Sequence, residues 1–174
     1  MSRLVSSHLV RFIILTCLAA LFLANGTVAQ DTSEPSAFKV EALNPGLPPL
    51  PDAIDRSTPQ GAMESFFHYA SKGDFDRAAH LLDLTDLPRE DQAGRGAELA
   101  AQLHTIMDRK TVIPWDDLAD RPDGRLRGSE NEPGAGRDRR SIILDWLKLE
   151  GRSVPICINK VHPEGGDPAW VIAR

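Results

Sequence analysis

The period of the apolar residues changes partway along the chain, and that change limits the fold more than any other feature. Up to Lys110 the apolar positions recur at steps of three and four: Ala62, Met63, Phe66, Phe67 and Ala70, then Phe75, Ala78, Ala79 and Leu82, then Leu99, Leu103, Ile106 and Met107. Such spacing puts one stripe on each of three amphipathic helices. Beyond it, residues 142–149, 154–161 and 169–173 are branched and apolar, separated by Glu150-Gly151-Arg152 and by the Pro/Gly-rich stretch 163–167. Those separators suit hairpins, so three strands in an antiparallel meander are expected. Helices followed by strands make an α+β domain, with two or three N-terminal helices packed on a C-terminal sheet and burying Phe66, Leu82, Leu103 and the last strand.

Local signals place the boundaries. Ser57-Thr58-Pro59-Gln60 has the form of a capping box opened by Ser57, with proline in the first turn. Gly73 closes the first helix and Asp74 caps the second, giving a helical hairpin. The third helical stretch begins after Pro88 and is strongest over 97–107. Residues 111–115 are branched and aromatic, and Pro114 restricts them to an edge strand or strand end. Residues 124–140, rich in Gly, Arg and acids without apolar periodicity, are expected to be a mobile loop.

The N-terminus has the composition of an export signal. Arg3 and Arg11 precede an uncharged, apolar run over residues 12–24, interrupted only by Thr16, about 13 residues and below the roughly 20 needed to span a bilayer. Thr27 and Ala29 supply small side chains before a cut at Gln30, so residues 1–29 are expected to be a cleaved signal peptide. Retained, the same run would tether the chain to the inner membrane; Cys17, inside the run, is poorly placed for a lipoprotein signal. Residues 30–56, with Leu47-Pro48-Pro49-Leu50-Pro51, are expected to be a proline-rich linker, and 57–174 a single extracytoplasmic, periplasmic domain.

The formal charge of −5 includes two signal arginines, so the mature chain lies at about −7, which argues against nucleic acid as a partner. Cys157 is the one cysteine outside the signal, so no intrachain disulfide is expected. Flanked by Ile156 and Ile158, it either faces away from the core with Asn159 or sits in a sheet buried on both faces. His68, His80 and His104 lie on three different helices and match no metal motif; they are expected on the surface. No nucleophile elbow, phosphate-cradling loop or dinucleotide fingerprint occurs. The expectation is therefore no catalytic residue, no metal and no cofactor. The best acidic cluster is Asp116 and Asp117 with Asp120 and Asp123; Trp115, Asp116, Asp117, Arg121 and Asp123 form a candidate interaction or turn cluster. Trp115, Trp146, Trp170, Phe66, Phe67 and Phe75 fall mostly where a core needs them.

Three passages together resemble a known group of exported domains: "LNPGLPPLPDAIDRSTPQGAMESFFHYASKGDFDRAAHLLDLTDLP", "IPWDDLADRPDGR" and the terminal "PAWVIAR". They are similar to the N-terminal extracytoplasmic domain that precedes the membrane region in bacterial MscS-like mechanosensitive channels. The resemblance covers nearly everything from Leu43 onward. It implies a noncatalytic accessory or sensory domain acting by protein interaction, with an envelope or inner-membrane protein as partner. It covers the exported part alone, so channel activity is not among the expectations it implies. At the level of fold, the helix pair followed by sheet is similar to small cone-shaped domains of the nuclear-transport-factor-2 type. That likeness implies an alternative role, a soluble periplasmic domain holding a small ligand in a pocket beneath the helices.

Overall fold

The computed structural model describes residues 36–126 and 138–174. The expected signal peptide, residues 30–35 of the expected linker and residues 127–137 of the expected loop lie outside the described residues. Helix α1 spans Pro59–Ala70, α2 spans Phe75–Ala78 and runs into a 3₁₀ turn at Ala79–Leu81, and α3 spans Gln92–Lys110. Strand β1 is Phe38–Val40, β2 is Ser141–Leu149, β3 is Arg152–Pro163 and β4 is Ala169–Ile172. The class is α+β, three helices against a four-stranded sheet. No helix among the described residues is long and apolar enough to cross a membrane.

Helix α1 starts one residue later than the capping-box reading places it. Thr58 is the cap, its hydroxyl accepting from the Gly61 N–H at 3.0 Å, and Pro59 occupies the first turn where its missing N–H is harmless. Ser57 is engaged elsewhere, giving both its N–H and its hydroxyl to Asp55 Oδ1. Gln60 donates to Glu64 at 2.7 Å instead of reaching back. The helix buries Ala62, Met63, Phe66, Tyr69 and Ala70. Gly73, at φ 74°, supplies the left-handed turn that lets Asp74 cap α2 through the Arg77 N–H.

The sheet is organised on β3. Its residue Ile158 pairs with both Ile142 of β2 and Ile172 of β4, so these strands flank it antiparallel, as the hairpin separators predict. Val161 pairs with both Ala169 and Phe38, which puts β1 on the side opposite β4, in line with β2 and parallel to β3. The sheet is therefore mixed, where a purely antiparallel meander was expected.

That fourth strand comes from the segment expected to be a linker. Residues 36–56 belong to the body of the domain. Ile54 is in the core, and buried Asn44 donates to the Leu82 carbonyl at 2.7 Å while accepting from the Leu84 N–H at 2.9 Å. Gly46 lies so close to the 3₁₀ turn at Arg89–Asp91, which leads into α3, that an added Cβ would fall 1.9 Å from the Arg89 carbonyl oxygen, and its N–H donates to Gln92 Oε1 at 2.7 Å. Proline content signals extended backbone, but a few polar and apolar residues beside it suffice to fasten that backbone down.

A second difference concerns residues 111–115, which form no strand. Thr111 ends α3 with its N–H on Met107, and Trp115–Asp117 is a 3₁₀ turn. Pro114 withholds the ladder donor a strand would need there. The deepest side chains are Trp170, Phe66, Met63, Leu81, Met107, Ile142 and Ile158, contributed by all three helical segments and by β2, β3 and β4.

Candidate functional site

The turn cluster singled out in the sequence is split by the fold. Arg121 and Asp123 come together, Nη2 to Oδ2 at 2.6 Å, and Arg125 joins them at 3.8 Å. Partial burial opposes ionisation of Asp123, but the Arg125 N–H and the Arg121 guanidinium outweigh it and hold the carboxyl below its usual range. Asp116 and Asp117 stand apart on the exposed 3₁₀ turn, and Asp120 accepts from the Thr58 hydroxyl at 3.1 Å. Trp115 leans on Phe67, ring centroids 6.2 Å apart, and stays exposed.

The Pro122-Asp123-Gly124 turn is clamped onto the core. The indole N–H of fully buried Trp170 donates to the Pro122 carbonyl at 3.2 Å, and Gly124, at φ 67°, lies against the Trp170 ring. These contacts hold a turn in place. Among the described residues no group of three or more His, Cys, Asp and Glu side chains is placed to hold a metal ion.

The histidines separate. His68 is exposed, and His104 packs its ring against Phe67 and Phe75. His80, expected on the surface, is buried, because the helical step after α2 turns it inward beside Arg56, which donates to the His80 carbonyl at 3.4 Å. Burial, then the Arg56 charge, push its pKa down. Cys157 faces away from the core with Asn159, while Ile156 and Ile158 are buried. Partial burial pushes its thiol up, against a hydrogen bond with Ser141, so little thiolate is available for nucleophilic work.

Two features escaped the sequence reading. The first is the far end of the β2–β3 hairpin, which projects as an arm. Ile143, Trp146, Leu149 and Val154 are 48%, 54%, 52% and 43% exposed there, so Trp146 is not a core residue. Pairing assigns them to both faces. Ile143 and Trp146 sit opposite Cys157 and Pro155 on the face away from the helices, whereas Val154 sits opposite Leu147, which still touches the core. The register shift between Ile143 and Asp145 explains why both faces are apolar: the extra residue, Leu144, turns inward beside Ile142. The arm's edges are blunted. The Trp146 N–H is taken by Asp145 Oδ1 at 2.7 Å, and its partner Pro155 has no N–H, so neither offers a donor to an added strand.

The second feature is an apolar cavity of about 310 Å³ between α3 and the end of β4, lined by Leu82, Leu84, Leu87, Leu99, Leu103 and Ile172. At its rim Arg174 meets Asp86 at 3.1 Å and Asp83 at 3.7 Å. Leu99 and Leu103 lie on the stripe that marks α3 in the sequence, but periodicity does not say which part of a stripe is left uncovered.

Comparison with known proteins adds no kinship: no family model, no curated protein and no solved structure matches the chain.

Proposed function

We propose that this is a noncatalytic extracytoplasmic interaction domain and that the β2–β3 arm is its contact surface. The observation that carries the reading is that one projecting hairpin leaves four large apolar side chains exposed, spread over both of its faces, an arrangement that soluble surfaces avoid unless something covers it. Blunted edges favour contact through side chains over strand addition. The resemblance of residues 43–174 to the extracytoplasmic domains of MscS-like channels supplies the proposed setting, with an envelope or inner-membrane protein as partner. A photoreactive residue at position 146 is expected to crosslink an envelope protein in cells, and the adduct to vanish when Ile143 and Val154 are both changed to Ser. A folded, exported chain that yields no adduct from the arm sinks the proposal.

The apolar cavity favours a second reading, a domain that holds a small aliphatic ligand. Binding to the folded state alone raises the melting temperature, so a thermal-shift screen of aliphatic molecules tests it. A flat response across the screen removes it.

A further inference from the structure

We propose that the arm of one copy docks Trp146 into the apolar cavity of a second copy, making the chain a two-fold dimer; this rests on the reading of the arm as the contact surface. Trp146 is the largest exposed apolar side chain on the arm, and the cavity offers an aliphatic wall on the scale of an aromatic anchor. Lys148 follows two residues later on the same face, roughly 7 Å along the strand. The cavity rim carries two carboxylates, Asp83 and Asp86, against the single guanidinium of Arg174. Asp86 is 70% exposed at its side chain, and its ion-pair partner Arg174 is shared with Asp83, so the rim keeps a net negative charge for Lys148 to meet.

Trp146 cannot fill its own cavity. It lies on the sheet face turned away from the helices, whereas the cavity is walled by α3 on the helix side. Docking of Trp146 in such a cavity therefore takes a second copy. Each copy carries both the arm and the cavity, so a pair of copies has the parts that two reciprocal contacts about a two-fold axis require, and the closed dimer, as against an open chain of copies, is what is proposed.

The test is sedimentation velocity on the chain as recovered from the cell envelope, over a wide concentration range. A concentration-dependent dimer is expected. Trp146→Ser, Lys148→Glu and Asp86→Lys, all exposed positions, should each weaken it by roughly tenfold or more, as loss of an aromatic anchor or an interfacial ion pair does. Circular dichroism should be unchanged. The double variant Lys148→Glu with Asp86→Lys should restore the dimer, which a merely structural effect would not do. A monomer at every concentration, a dimer indifferent to Trp146→Ser, or a double variant without rescue overturns the proposal. So does an aliphatic ligand that raises the melting temperature and leaves a dimer undisturbed, because the cavity then belongs to that ligand. A monomer that still crosslinks an envelope protein through position 146 overturns self-docking and leaves the interaction reading standing; a monomer without that crosslink sinks both.

Discussion

Strand β4 and the β2–β3 arm are built from the same kinds of residue, yet β4 buries all four of its side chains while the arm exposes Ile143, Trp146, Leu149 and Val154. The cause is reach. β4 is held between β3 and the segment after α2, where the Asp83 N–H donates to the Ile172 carbonyl at 2.9 Å, and Trp170 sits fully buried in the core. β3 has 12 residues to the 4 of β4, and its first half, with β2, runs past the last element among the described residues that could cover it. An apolar strand becomes core or contact surface according to what lies over it.

Phe66→Ala should break the body of the domain outright. Removing a fully buried aromatic costs about 3–5 kcal/mol, measurable as a lower denaturant midpoint, whereas a loss near zero would mean the core is not where it is placed. Asn44→Ala asks whether residues 36–56 belong to that body. Two buried backbone groups, the Leu82 carbonyl and the Leu84 N–H, lose their partner, and a cost of about 1–3 kcal/mol is expected where a linker would show none.

A smaller, pH-dependent loss should trace to His80. Its folded-state pKa is depressed below 6.5, so the unfolded chain binds the proton more readily as pH falls through that value. Stability is full above about pH 6.5 and declines on acidification toward the lowered folded pKa. In His80→Gln the melting temperature should fall less over that window; an unchanged slope would rule His80 out. The smallest effect belongs to the arm. Measured on the monomer, at concentrations too low for association, Trp146→Ser should alter stability by no more than about 0.5 kcal/mol, as exposed substitutions do, and a loss comparable to that of Phe66→Ala would place the arm in the core.

Part of this was legible before any coordinates. Gly73-Asp74 marked the helical hairpin because a left-handed turn and a side-chain cap are local devices. Arg121 and Asp123 read as members of one turn cluster for the same reason, since they stand two positions apart and their ion pair is local. Asn44 was invisible as a structural residue, since its partners at 82 and 84 are some forty positions away. His80 was misplaced because stripe logic fails where a helix tightens into a 3₁₀ turn. The arm was hidden by Leu144: the extra residue makes the strand apolar on both faces, a pattern that elsewhere signals complete burial.

Alone, the sequence determined the α+β class, the three helical segments, the three consecutive strands and the turns between them, because each depends on residues within a few positions of one another. The tertiary structure decided the rest. It fastened β1 to β3, buried His80 beside Arg56, walled a cavity with three separate segments and left the hairpin uncovered. Burial depends on which distant elements lie over a side chain, and no local pattern of residues records that.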